Sequence, residues 1–235
     1  MGGAKVAVIG LGVTGLATLK NLLEEGFDAT GFDGRDTIGG LWKYSSDAEV
    51  TSVLETTISN KSRFKNSYTD FPYPENSPAF PTAVEVQDYL ESYASNFQLL
   101  SRIRLRTKIL TVTRNEKDSK WIAHFQNLDG SKNTTEFDKV AICSGAWGKP
   151  KIPDIAGRNL FKGDVIHSQA FKSPSQFKGK SVAVLGIGST AADIATALVG
   201  HARKIYLPHR GGTNIVCCPI TPPRARADDM HSFLV

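Results

Sequence analysis

Two short apolar runs, at residues 6–9 and 182–185, each stop at a glycine-rich turn and give way to a helix-like pattern. β-Branched runs of this length, without polar alternation, suit strands buried on both faces of a parallel sheet. After the first run, Leu16, Leu19, Leu22 and Leu23 recur at helical spacing until Gly26, a natural helix stop, and residues 29–32 resume strand character. After the second run, a small-residue helix over 192–199 ends at Gly200, and residues 204–207 supply the next strand. The pattern predicts two βαβ units, the only internal repeat in the chain.

Between these units the pattern changes twice. Pro72, Pro74, Pro78 and Pro81 exclude helix and central strand from residues 71–81, which read as a surface loop. Thr82 and Glu85 then form a capping box, and Val86, Tyr89, Leu90, Tyr93 and Phe97 make the apolar stripe of a helix. From 102 to 137, short alternating segments broken at 115–120 and 129–133 predict an antiparallel meander. Residues 140–142 return to a buried strand that ends at Ser144-Gly145. The expected fold is α/β: two Rossmann-like dinucleotide-binding units, parallel sheets with flanking helices, plus an antiparallel β-meander in the first. The expected division is 1–150 for the first domain, 151–178 for a linker, and 179–235 for the start of a second. The linker composition, with Pro150, Pro153 and Gly157, begins at Gly148.

Composition narrows the function. The 235 residues are 40% hydrophobic with a net charge of +5, and the basic residues are scattered rather than gathered with aromatics, which argues against a nucleic-acid module. The excess suits phosphate-bearing small ligands or a plain solvated surface. Cys143, Cys217 and Cys218 offer no C-x-x-C spacing, against a disulfide scaffold, a metal site or a thiol redox pair. No signal peptide or bilayer-length apolar run is visible, so the expectation is a soluble, cytoplasmic protein. Two N-x-S/T matches, at Asn60 and Asn133, are read as chance.

The glycine turns carry the chemistry. Gly10, Gly12 and Gly15 form G-x-G-x-x-G between strand and helix: a tight turn, room for a pyrophosphate, and close helix–strand packing, with the helix N-terminus facing the phosphates. Asp33, at the end of the second strand, is placed to accept hydrogen bonds from a ribose diol. The second turn reads Gly186, Gly188, Ser189 and Ala191, the variant in which a small third residue suffices. Where the acid would stand are His209 and Arg210. A guanidinium can hold a 2′-phosphate that a carboxylate would repel, so this site is expected to prefer NADPH, with Arg203 and Lys204 as weaker contributors. A solvated loop charge is the alternative for Arg210.

Taken with these turns, further segments resemble the flavin-containing monooxygenases, a family of class B flavoprotein oxygenases. Gly39-Gly40-Leu41-Trp42 looks like the family's G-G-x-W segment along the flavin. Phe161, Gly163, His167 and Phe171 fit its F-x-G-x-x-x-H-x-x-x-(Y/F) fingerprint. Ile58-Ser59-Asn60 is similar to its T-S-N segment, with isoleucine for the usual threonine, and Ser144-Gly145 resembles a short motif linking the domains. The resemblance implies FAD on the first turn and NADPH on the second, with Asn60 nearest the chemistry. NADPH would reduce FAD, O2 would add to give a C4a-hydroperoxyflavin, and one oxygen atom would pass to a small organic substrate. Phe171 stands where Baeyer–Villiger enzymes carry Trp, which favours N- or S-oxygenation. Gly163 is expected to permit a turn, and His167 to hydrogen-bond across a domain boundary. Family members are longer, so the resemblance also implies a missing C-terminal part, with self-association through uncovered sheet edges. The other reading is a nucleotide-binding homologue without monooxygenase turnover.

Overall fold

In the computed structural model, which describes residues 3–117 and 119–212, β1 (Lys5–Ile9) is the inner strand of a parallel sheet. Its neighbours are β2 (Asp28–Phe32) on one side and β7 (Lys139–Ile142) on the other. The sheet order is β3-β2-β1-β7, with β3 (Ile103–Arg104) at the far edge. Val6, Ala7 and Val8 are all buried, because alternate side chains of β1 enter two separate cores.

On one face Val6 and Val8 pack with Leu16 and Leu19 of α1 (Val13–Glu24) and with Val86, Tyr89, Leu90 and Tyr93 of α3 (Ala83–Asn96). Each fully buried leucine among them contributes about 2 kcal/mol. On the other face Ala7 and Phe32 meet Ala123 and Phe137. Those two belong to the predicted meander, β4 (Thr107–Arg114), β5 (Trp121–Asn127) and β6 (Lys132–Phe137), which is antiparallel throughout. The meander begins later than the pattern suggests. Residues 103–104, expected at its start, instead pair parallel with Gly31 and Phe32.

α1 carries one charged residue inward. Lys20 is 7% exposed, and its ammonium meets Glu24 at 2.6 Å and Asp70 at 2.5 Å while lying over the Phe97 ring. These partners raise the Lys20 pKa above the ordinary lysine range, and Lys20 in turn holds the Asp70 carboxyl below its usual range. Burial pushes the Tyr93 hydroxyl up to about 12.

The chain divides into two compact units. The first holds the chain up to Lys43 with Ser67–Tyr73 and Val84–Gly148; the second holds Tyr44–Asn66, Pro74–Ala83 and the described residues from Lys149 onward. The second is centred on β8 (Ser181–Ala183), α4 (Ser189–Leu198) and β9 (Lys204–Tyr206), a parallel βαβ unit as predicted. It also contains the single turn α2 (Arg63–Asn66). Its core gathers Phe171, Ile194 and Leu198, with Leu54, Phe177, Val182 and Ile205 packed against them. Among the described residues, no helix is long and apolar enough to cross a membrane. Cys217 and Cys218 lie outside the described residues.

Candidate dinucleotide-binding sites

In the first unit Gly10 closes β1, and Cys143, Ser144 and Gly145 follow β7 at the same carboxyl edge. Ile9 is in register with Ile142, and the Cys143 amide donates to the Ile9 carbonyl. This edge is where parallel sheets place ligands: the connection from β1 runs to one side through α1, and the strand on the other side arrives from later in the chain.

Two of the glycines here, Gly10 and Gly15, are required by the fold. Gly10 has φ +94°, and a Cβ on it would sit 2.6 Å from the Cys143 carbonyl oxygen. A Cβ on Gly15 would overlap the Gly10 carbonyl, so α1 can press against the turn only with hydrogen at that position. Gly12 faces Gly40, backbone to backbone, at 3.5 Å from its would-be Cβ. No side chain caps α1, and its first turn has no acid. Its leading N–H groups and the positive end of its dipole are therefore open to an anion.

Asp33 lies just past β2, but its geometry differs from a simple ribose acceptor. Oδ2 accepts from the Leu11 amide at 2.8 Å and Oδ1 from the Arg35 amide at 2.9 Å. The carboxylate thus ties down the glycine turn itself, and each oxygen keeps a lone pair for a further donor. Gly40, Leu41 and Trp42 form a 3-10 turn, with the Gly39 amide donating to the Leu11 carbonyl at 2.9 Å. Gln87 of α3 fastens the approach to this turn by donating to the Ile38 carbonyl. Ser144 and Gly145 are exposed.

In the second unit, Gly186 lies three residues past β8, has φ +118° and donates to the Pro208 carbonyl at 3.1 Å. Gly188 is the N-cap of α4, again with no side-chain cap. Ser189 is exposed, and Ala191 is buried at the third, small position. Among the described residues a Cβ on Gly188 would meet nothing within 4 Å. His209 and Arg210 follow β9 as Asp33 follows β2, and Arg210 is exposed. His209 donates from Nδ1 to the Gly211 carbonyl. Arg203 is spent on Ser181 Oγ at 3.0 Å, and the Lys204 ammonium lies over the Tyr206 ring.

The fingerprint residues separate by role. Phe171 is 3% exposed, stacks on Phe177 and packs on α4, whereas Phe161 is 63% exposed. A Cβ on Gly163 would meet only the far edge of the exposed Phe161 ring, at 2.7 Å, which can turn aside, and its φ is not in the left-handed region, so the fold itself does not demand glycine there. His167 makes a local bond: its Nδ1 accepts from the Gln169 amide at 3.1 Å and caps the 3-10 turn Ser168–Ala170. The work of reaching distant chain falls to its neighbours. Gln169 donates to the Glu49 carbonyl at 2.8 Å, and the Lys172 ammonium donates to the Val50 carbonyl at 2.7 Å.

Asn60 is exposed beside Ser59, which is buried and bonded to both the Pro81 carbonyl and Lys61. The segment leading to it is tied to α4 by Thr57, whose Oγ1 donates to Asp193 Oδ2 at 3.0 Å. Burial raises the Asp193 pKa, and the Thr57 bond opposes this in part. Thr57, Lys172 and Asp193 escape sequence reasoning because each acts on groups far along the chain, and Arg35 because its role depends on turn geometry.

Three comparisons bear on identity. Residues 3–221 match the family profile described as FMO-like, flavin-binding monooxygenase-like. Monooxygenase aurF of Gibberella zeae is 46% identical over 212 residues, which is 90% of this chain and 40% of that protein. Flavin-containing monooxygenase 3 of Homo sapiens is 37% identical over 218 residues, 90% of this chain and 41% of that protein. The solved structure of S-allyl-L-cysteine S-oxygenase from Allium sativum superposes with a TM-score of 0.83 at 26% identity, covering 90% of this chain and 52% of that one. The chain spans about two-fifths of the length of the relatives it matches. With the profile covering every described residue and the two glycine turns in place, the chain belongs to the flavin-binding monooxygenase-like family.

Proposed function

We propose that this chain binds FAD at the first glycine turn and NADPH at the second, and serves an NADPH- and O2-dependent monooxygenase acting on a small organic substrate. The observation that carries the reading is the pair of uncapped helix N-termini, each opened by a glycine turn. One is answered by an acid at Asp33 and the other by a base at Arg210. An oxygen transfer to nitrogen or sulfur is the finer form of the proposal, supported by Phe171 in the fingerprint and by similarity to a plant S-oxygenase.

The residues present fit FAD. Gly12 leaves a cradle that a side chain would narrow, on a turn whose shape Gly10 and Gly15 permit, the α1 N-terminus is open to a pyrophosphate, and Asp33 has acceptor capacity left for a ribose hydroxyl. Gly186 and Gly188 leave an equivalent cradle for NADPH, with Arg210 past β9 for the 2′-phosphate. Bound together, the two cofactors supply hydride transfer and oxygen activation. The chain's own contribution is to bind and orient. The α1 and α4 N-termini hold phosphates, Trp42 and the Gly39–Gly40 backbone shape one wall, and Asn60 offers an amide to the reacting centre.

A visible spectrum of the purified chain, before and after anaerobic addition of NADPH, tests both sites at once. The expected result is a flavin absorption band that bleaches on reduction. Colourless protein that takes up no added FAD overturns the first assignment, and a band unmoved by NADPH overturns the second.

A further inference from the structure

Arg35 has no place in the glycine motif, yet it closes a circuit of bonds around the first turn. Its guanidinium donates to the Gly40 carbonyl at 2.6 Å and to the Lys43 carbonyl at 2.8 Å. Its own amide donates to Asp33 Oδ1, and the other oxygen of Asp33 accepts from the Leu11 amide. The Leu11 carbonyl accepts from the Gly39 amide, which returns to the segment that Arg35 holds. Even the Arg35 carbonyl is engaged, accepting from the Arg106 amide at 2.7 Å.

The segment so held closes on itself only by long bonds, the first from the Trp42 amide to the Gly39 carbonyl at 3.2 Å. Gly39 and Gly40 both lie in the left-handed region, at φ +106° and +56°. Within the 3-10 turn, the Lys43 amide reaches the Gly40 carbonyl only at 3.4 Å. Two charge-assisted bonds from one planar guanidinium are the strongest tether on these carbonyls. They set the Gly40 backbone against that of Gly12, where a Cβ on Gly40 would lie 2.9 Å from the Gly12 Cα.

We propose that Arg35 is a positioning residue for the dinucleotide at the first turn. It fixes residues 40–43 against the Gly10–Gly12 backbone before the ligand arrives, so the pyrophosphate meets two walls already in place. Preorganisation of this kind raises affinity by removing an ordering cost from binding. The proposal rests on the reading that this site takes FAD.

The test uses the full 235-residue chain as wild type, Arg35→Ala and Arg35→Lys, titrated with FAD by flavin fluorescence. Apo melting temperatures are recorded alongside, and the alanine titration is repeated in millimolar guanidinium, well below denaturing concentrations. The expected result is FAD affinity weakened about tenfold or more in Arg35→Ala, an intermediate loss in Arg35→Lys, and partial recovery of the alanine variant by guanidinium. Wild-type affinity in the alanine variant overturns the proposal. Weakened binding that guanidinium does not recover, with a matching drop in apo melting temperature, overturns it in favour of a purely structural role. If Arg35→Ala does not fold, Arg35→Lys carries the test, and undiminished FAD affinity there overturns the proposal. A wild type that takes up no FAD removes the reading beneath it and the proposal together. An alanine variant equal to an FAD-binding wild type removes the proposal alone.

Discussion

Replacing Gly188 by alanine separates a glycine demanded by a ligand from one demanded by the fold. At Gly188 the backbone, φ −76° and ψ 176°, suits any residue, and among the described residues a Cβ would touch nothing within 4 Å. Alanine there gives up an N-cap preference of about 1 kcal/mol and gains roughly 0.4–1 kcal/mol by restricting the unfolded chain. The two nearly cancel, so the melting temperature should stay within about 2 °C of wild type. NADPH affinity should fall by about tenfold or more, because the methyl stands where the pyrophosphate must approach the backbone. Gly15→Ala should behave in the opposite way. Its Cβ overlaps the Gly10 carbonyl, an overpacking cost of about 3 kcal/mol, which lowers the melting temperature by on the order of 10 °C. Thermal melts with and without NADPH, joined to calorimetric titration, measure both quantities. A Gly188→Ala chain that binds NADPH as wild type does, or that melts as early as Gly15→Ala, would refute the reasoning.

Other outcomes follow from charges and their surroundings. Arg210→Ala should weaken NADPH much more than NADH in paired titrations; equal losses would count against a 2′-phosphate contact. Burial holds the Asp193 carboxyl above its ordinary value of 3.8, so folding favours its protonated form, and the penalty on its charge is present at neutral pH and relieved as pH falls through the raised value. Asp193→Asn should therefore melt at or above wild type at pH 7, with the gap closing on acidification; a gap independent of pH is the contrary result. Asp70 has the opposite sign. Lys20 holds its carboxyl below 3.8, so the stabilisation is present above that value and lost as pH falls through the depressed one. Asp70→Asn should lower the melting temperature at pH 7 and converge on wild type in strong acid, and a melt series across pH checks it.

What could be read from the residues in order was whatever is decided locally. The βαβ repeat, the meander and the glycine turns all depend on patterns a few residues long, and they stand in the structure nearly where the periodicity puts them. Long-range pairing was not legible. Nothing in Ile103-Arg104 distinguishes the first strand of a meander from an edge strand of the parallel sheet, because a two-residue segment has no periodicity to read. The site shows the same limit. Asp33 was visible as an acid at the right distance, but its commitment to the Leu11 and Arg35 amides depends on turn geometry. A faint signal for Arg35 did exist: two consecutive glycines in strained backbone leave carbonyls in want of donors, and an arginine stands five residues upstream. His167 looked like a residue that reaches across the chain, and its ring instead serves the amide two positions on.

The second unit takes in Tyr44–Asn66 and Pro74–Ala83, which reach it before the first unit is finished. A gene cut at Gly148 therefore does not yield two self-sufficient modules. The downstream piece would lose Leu54 from its core and Thr57 from Asp193, and the upstream piece would carry stretches with nothing of their own to fold onto. Chimeras between relatives that exchange one nucleotide-binding half must swap three stretches of sequence in concert, and a crossover at a single point should give insoluble or protease-sensitive protein.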